Sequence, residues 1–540
     1  MGVLGPMAIP AVVAGIFSHL AFFRIGEHHM YSMQYFLAGI AVFCSLTFIQ
    51  IQAFQVPTAT SAASSCSILG SYLAGVYTSL IAYRLLFHPL RHFAGPLGCK
   101  ISSVWFSASL GKYDAFHQLA KLHDRYGLFL RIGSNDLSVA HPKAVQAIYG
   151  PGSKCHKAPW YDSTQPIVSL HSTRDKSLHE RRRRVWSRAF GEKNLRDYET
   201  RMTRYRSLLI KNIDMAGNEP LDISKLFNIF TFDVMGDLAF GASFGMLETS
   251  KEHGAITLFH KAFAPVGFML PVWLFRFMTG VPGLAKDWWG FITYCTEQVE
   301  KRIQMKSNTT DIMSSLLRPL NTQALSRLDW EWLQGDSQLI IVAGSDTASA
   351  TLTNLFRYLV DQPQHINMLR AEVDDLPRTE LGDYLPADLK DLGHLNGVIN
   401  ETMRLYPPVP SAIPRLTPPE GLTIEGTFIP GNTTVYCPQY VLGRNPDCYI
   451  NPNEFIPERW YSRPDLMPDA SSYVPFSIGT YGCIGKPLAM MNLRATVARI
   501  VADFDVQMAP GTSLAAYDQG MKEHFTLAPS SLNLCFRKRV

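Results

Sequence analysis

Three apolar stretches open the chain, Met7 to Phe23, Tyr35 to Ile51 and Ile68 to Leu86. Each is close to the ~17 to 25 residues that cross a bilayer as a helix, so all three are expected to be transmembrane. For the first, which contains Pro10, Ser18 and His19, a cleaved signal peptide is the alternative. From residue 100 onward the apolar positions recur with helical spacing, and no repeat or interdomain linker interrupts them. One mainly α domain with a small β region is predicted. The stretch from Asp329 to Pro363 reads as a single helix of about 50 Å with Asp329 as its N-cap. Strand-like pieces lie at 128 to 140 and 421 to 437, where Gly426 and Pro430-Gly431 mark turns.

Basic residues orient the spans, because Lys and Arg near span ends stay cytoplasmic. Arg24 follows the first span and Arg84, Arg91 and Lys100 accompany the third, whereas residues 52 to 65 carry no charge. Spans one and three are therefore expected to end in the cytosol, with the N-terminus lumenal. The division expected is a membrane anchor over residues 1–95, ending in the stiff hinge "HPLRHFAGP", and a cytosolic domain over 96–540. In that orientation the Asn-Thr-Thr sequons at Asn308 and Asn432 stay without glycan.

Composition adds little beyond the anchor. Hydrophobic residues make up 47% and charged residues 18% of the chain, which is apolar for a purely soluble protein. A net charge of +5 is too mild to point to nucleic acid. The nine cysteines include no CxxC, so neither a disulfide framework nor a zinc site is expected. Most should be inert buried thiols.

Three local patterns carry candidate chemistry. In the long helix, "AGSDT" sets Ala343 and Gly344 beside Ser345, Asp346 and Thr347. Small residues there let something bulky lie against the backbone, and Thr347 can bond back to a carbonyl one turn earlier. "NETMRLYPPVP" sets Glu401 and Arg404 three apart on one helical face, and "FIPERW" adds Arg459, enough for a buried carboxylate with two guanidiniums. Phe476, Gly479, Cys483 and Gly485 form a glycine-rich loop running into a helix, where amide N–H groups can converge on one sulfur. That setting favours thiolate and metal ligation.

In this order the motifs resemble the cytochrome P-450 family of haem-thiolate monooxygenases, from about "HPLRHFAGP" to the C-terminus. The resemblance implies that fold, preceded by transmembrane helices, and haem b with Cys483 as axial thiolate. It implies that Phe476, Gly479 and Gly485 shape the sulfur environment and that Asp346 and Thr347 relay protons towards dioxygen. Glu401, Arg404 and Arg459 match the structural triad. His179 and Arg183 in "HERRRRVWSRAF", and Arg415 in "SAIPRLTP", match haem-propionate partners. The remaining arginines of that run are candidates for an acidic reductase. One departure is Tyr481, where the family usually has Arg or His; it can offer a propionate a hydrogen bond but no charge. The function implied is insertion of one oxygen atom of O2 into an apolar small molecule, such as a terpenoid, indole alkaloid or polyketide. Electrons would come from NADPH-cytochrome P-450 reductase at the endoplasmic reticulum membrane. The anchor and cysteine loop look similar to fungal secondary-metabolite members, including prenylated indole alkaloid hydroxylases. A reductase-independent isomerase or dehydratase, or a non-catalytic haem sensor or carrier, are the alternatives. Residues 155 to 178, 255 to 285 and 523 to 530 are expected to line an apolar pocket.

Overall fold

A computed structural model describes residues 7–305, 310–320, 324–411 and 413–539, so Asn308 lies outside the described residues. The chain forms two compact units. One holds the residues up to Ser109 with Leu130–Leu137 and Leu270–Ala285; the other holds Leu110–Phe129, Ser138–Met269 and the residues from Lys286 onward.

In the first unit, His29–Phe54 and Thr58–Phe87 are long and apolar enough to cross a membrane, while the apolar helix Ala8–Phe23 is shorter. The third helix begins ten residues before the expected Ile68. Its first turns, "TATSAASSCS", are polar by composition but built of small residues that a neighbouring helix can cover. Ser61 and Ser65 are buried, and Ser65 Oγ accepts from Gln50 Nε2 and Thr47 Oγ1, both at 3.0 Å. The first and third helices cross in near contact through two glycines. A Cβ on Gly15 would stand 2.1 Å from the Tyr72 carbonyl oxygen, and one on Gly75 2.1 Å from that of Val12. Further along, His19 Nδ1 meets Ser79 Oγ at 2.9 Å and the Arg24 guanidinium lies 5.4 Å from the Tyr83 ring centre. The two helices therefore run parallel, with Arg24 and Arg84 at the same end. Small residues at such a crossing let the two backbones approach closely and pack by van der Waals contact. The segment 270–285, expected as pocket lining, belongs to this unit; Phe277 meets Phe36 edge to face at 5.3 Å.

The second unit is built around the helix Arg327–Asp361. Although apolar enough to span a membrane, it is largely enclosed by protein and forms the core. Its N-cap is Ser326 rather than the expected Asp329. Ser326 Oγ accepts from the Asp329 N–H at 3.2 Å while Asp329 Oδ2 accepts from the Ser326 N–H at 3.2 Å, a reciprocal capping box that satisfies two end donors. The helix Ile223–Phe240 packs alongside, with Met235 filling the space over Gly344. Three further helices matter to the site: Lys176–Ala189, Gly393–Leu405 and Lys486–Asp503. Strand His156–Lys157 pairs antiparallel with Arg415–Leu416, which pairs with Thr434–Tyr436. Leu422–Ile424 and Thr427–Ile429 form a hairpin at the expected Gly426 turn. A last hairpin joins Lys522–His524 to Thr526–Ala528 through Phe525, which takes φ +80.

Candidate functional site

Cys483 sits where a loop of short turns enters the helix Lys486–Asp503, with Pro487 in its first turn. Its N–H donates to the Phe476 carbonyl at 2.7 Å, which closes the loop. Gly479 holds φ +67 with its Cα face against the Tyr149 carbonyl, 2.5 Å from where a Cβ would stand. No other residue fits there without strain. A Cβ added at Gly485 would stand 3.8 Å from the sulfur, and the N–H groups of Gly485 and Lys486 point at it. The sulfur lies deep in the protein although its side chain keeps accessible surface. Burial pushes the Cys483 thiol up, and the two amides with Arg183 and Lys486 offset only part of that.

Beside this loop stands a cluster of cations. Lys157 and Arg415 are direct cross-strand partners, an arrangement of like charges that costs stability by itself. Arg415 is buried and donates to the Tyr161 hydroxyl at 2.6 Å; Lys157 Nζ donates to the carbonyls of Leu170 and His171 at 3.0 and 2.6 Å. His179 and Arg183 arrive from the helix Lys176–Ala189, where Arg183 donates to the Gly482 carbonyl at 2.8 Å. Burial, then Arg415 and Arg183, holds Lys157 well below the usual lysine range. Burial, then Lys157, Arg183 and Arg415, holds His179 down to about 3. Among the described residues no carboxylate acts on either group. His179 Nδ1 and Arg415 Nε are buried without a hydrogen-bond partner. Buried cations gathered into a basin in this way are costly unless an anion balances them.

Tyr481 occupies the centre of the basin. Its ring lies 4.9 Å from both Lys157 Nζ and the Arg415 guanidinium and 4.7 Å from the His179 ring. The Tyr481 ring thus lies against both Lys157 and Arg415. Sequence reasoning missed Lys157, for which "CHKAP" offers no signal. It also misplaced Arg182 among residues free to meet a partner: Arg182 is buried, and its Nε donates to Asp336 Oδ2 of the central helix at 2.6 Å. Arg181 and Arg184 are exposed.

On the central helix Ala343 is exposed, and Gly344, Asp346 and Thr347 beside it are half-buried. Thr347 Oγ1 donates to the Ala343 carbonyl at 2.8 Å. Asp346 turns towards the last hairpin, where Thr526 Oγ1 donates to its Oδ2 at 2.7 Å. Burial raises the Asp346 carboxyl, while His260, Thr526 and Asn228 oppose the shift. Nearby, Phe525 stacks on Trp160 at 5.3 Å and His171 packs edge-on to both. These aromatics come from the 155 to 178 and 523 to 530 regions.

Glu401, Arg404 and Arg459 meet with their side chains fully enclosed. Glu401 accepts from Arg404 Nη2 and Nε at 2.7 and 2.8 Å, from Arg459 Nε at 3.0 Å and from Trp460 Nε1 at 3.0 Å. The guanidiniums also donate to the carbonyls of Pro452 and Leu466 at 2.6 and 2.7 Å, so the cluster fixes the loop that precedes Cys483.

The sequence model of the family described as Cytochrome P450 matches residues 97–536. A relative from Aspergillus versicolor, "Cytochrome P450 monooxygenase notG'", is 41% identical over 527 residues, covering 98% of this chain and 97% of its own. "Tryprostatin B 6-hydroxylase" of Aspergillus fumigatus is 41% identical over 536 residues, covering 98% and 96%. Among solved structures, "Crystal structure of cytochrome P450DA heme domain" superposes with a TM-score of 0.66 at 18% identity, covering 80% of this chain and 94% of that one. Matched by the family model over most of its length, the chain belongs to the cytochrome P450 family of haem-thiolate monooxygenases.

Proposed function

We propose that the chain is an anchored monooxygenase that holds haem b between the small face at Ala343 and the sulfur of Cys483. The observation that carries this reading is the cluster of Lys157, His179, Arg183 and Arg415 beside the cysteine loop. Two propionates match its charge, and they give the unpaired Nδ1 of His179 and Nε of Arg415 acceptors. Bound haem supplies the activation of O2 with reducing equivalents. Phe476, Gly479 and Gly485 keep the amides of the loop aimed at the sulfur. Glu401, Arg404 and Arg459 hold the approaching loop. Asp346, aimed by the Thr526 hydroxyl, offers the carboxyl that passes protons on, and Thr347 shapes the helix one turn beyond Ala343.

The substrate class follows from the relatives and the aromatic wall. Trp160 and Phe525 suit a flat apolar molecule, and the Aspergillus fumigatus relative named for tryprostatin B favours a prenylated indole alkaloid over a terpenoid or polyketide. Residues to about 95 form the anchor and 96–540 the catalytic domain; the family match beginning at residue 97 supports that boundary. The parallel first and third helices, with Arg24 and Arg84 at one end, support an endoplasmic reticulum protein with lumenal N-terminus and cytosolic catalytic domain. Exposed Arg181 and Arg184 suit an acidic, separate NADPH-dependent reductase.

The test is the reduced carbon monoxide spectrum of the full chain. Wild type should show the red-shifted Soret band of thiolate ligation, and Cys483→Ser should lose it while retaining its fold by circular dichroism. A Cys483→Ser protein with the wild-type band overturns the assignment.

A further inference from the structure

Away from the cysteine loop, a second cluster has the geometry of a metal site. His365 begins the helix Gln364–Val373 and His394 begins the helix that carries Glu401. Glu458 stands in the "PERW" turn, next to the Arg459 that grips Glu401. Both imidazoles are buried, at 4% and 2% exposure, and Glu458 is partly open. His365 Nδ1 lies 3.2 Å from His394 Nε2 and 4.0 Å from Glu458 Oε1, and the two ring centres are 5.2 Å apart. Two imidazole nitrogens about 2.0 Å from a tetrahedral zinc stand about 3.3 Å apart, with ring centres about 5.2 Å apart. The histidine pair already meets both conditions, and the third donor needs only a small rotation of a half-free carboxylate.

The outer partners fit as well. His365 Nε2 donates to Gln362 Oε1 at 3.1 Å, which leaves the lone pair on the Nδ1 that faces His394. His394 Nδ1 lies 3.1 Å from the Tyr461 hydroxyl. Without metal, His394 Nε2–H donates to His365 Nδ1 and Tyr461 donates to His394 Nδ1. Shifting that imidazole to its other tautomer frees Nε2 for a metal and turns Nδ1 into a donor to the Tyr461 oxygen, with no net change in protons. Gln362, His365 and Glu458 also line an open cavity of about 720 Å³. A hydrated ion can enter there and keep a water as fourth ligand.

We propose that His365, His394 and Glu458 form a structural site for a zinc-class divalent cation. Nitrogen and oxygen donors in a small tetrahedral cage suit that ion. No cysteine takes part, so the cysteine spacing carried no sign of it. The ion would tie the segment after the central helix to the helix of Glu401 and to the turn of Arg459, three pieces of which the Glu401–Arg459 ion pair already joins two.

The experiment uses untagged, haem-loaded full chain in detergent, in which Cys483 is engaged, dialysed against chelator and then titrated with zinc under chelator competition. The expected result is about one zinc per chain, with a raised unfolding midpoint. The bound zinc should be lost in His365→Asn and His394→Gln and bound at least about tenfold more weakly in Glu458→Gln. Glu458 is partly exposed, so its variant remains informative if a histidine variant fails to fold. Failure of wild type to take up zinc overturns the proposal. So does equal zinc affinity in wild type and Glu458→Gln together with whichever histidine variant folds.

Discussion

Thr526 Oγ1 donates to Asp346 Oδ2 at 2.7 Å, across 180 positions of sequence. The acid of the central helix is therefore aimed by the last hairpin and not by its neighbour Thr347, whose hydroxyl is occupied by the Ala343 carbonyl. Thr526→Val should leave the carbon monoxide spectrum unchanged while lowering product formed per NADPH oxidised by roughly tenfold, the scale of one hydrogen bond to a charged group. Asp346→Asn should lose more, within the roughly 10²- to 10⁴-fold range of a general acid. Product and hydrogen peroxide, measured with reductase and an oxidisable indole alkaloid, decide it. Full coupling in Thr526→Val would mean that the tether is only structural.

Lys157→Met separates the two roles of the cation basin. Removing one of two facing cations relieves repulsion in the haem-free chain. The same change removes an anchor for an anionic cofactor. The variant should give an apoprotein at least as stable as wild type, yet release haem about tenfold or more faster, equivalent to roughly 1.4 kcal/mol. Haem transfer to an acceptor globin and denaturation of the apoprotein provide the two readings. Unchanged haem release would place the propionates elsewhere.

The glycine crossing of the anchor makes a prediction about membrane packing. Leucine at Gly75 would drive a side chain into the Val12 carbonyl, 2.1 Å from the added Cβ. Cysteines at positions 19 and 79, with Cys44 and Cys66 replaced by Ser, should cross-link readily in microsomes, since the native side chains meet at 2.9 Å. Adding Gly75→Leu should abolish that cross-link and leave the catalytic domain's haem spectrum intact.

Glu523 gives the chain a pH dependence. It is buried, accepting from Ser411 Oγ at 2.6 Å and from the N–H groups of Phe116 and Ser411 at 3.1 and 3.2 Å. Burial pushes its carboxyl up to about 7, from an ordinary 4.5, against those hydrogen bonds. Between these values the folded chain binds the extra proton, so this contribution is full below about 4.5 and lost as pH rises through about 7. Thermal unfolding of wild type should weaken from pH 5 to 8 relative to Glu523→Gln, by on the order of 1 to 3 kcal/mol. Parallel profiles would show that the carboxylate is compensated.

What the sequence disclosed was local. Cys483 and Gly485, or Glu401 and Arg404, lie within a few residues of each other, so spacing alone displays their geometry. Lys157 and Thr526 draw their meaning from partners distant in sequence. The lysine matters because strand register sets it against Arg415, and the threonine because a hairpin turns it towards Asp346. Arg182 looked like its exposed neighbours, yet helical rotation points it at Asp336. The start of the third span was hidden because hydropathy counts serine as polar, whereas Ser65 is satisfied inside the bundle by Gln50 and Thr47.

The reach of the last hairpin also bears on the order in which the enzyme is completed during synthesis. Chains emerge N-terminus first, so a chain that stops between Cys483 and Lys522 carries the cysteine loop without the hairpin. A product released in that interval, by premature termination or proteolysis, would keep the cysteine loop but lack both the tether of Asp346 and the aromatic roof at Phe525. Such a fragment would be a wasteful electron sink, drawing on the reductase without yielding product, and disposing of it would fall to protein quality control.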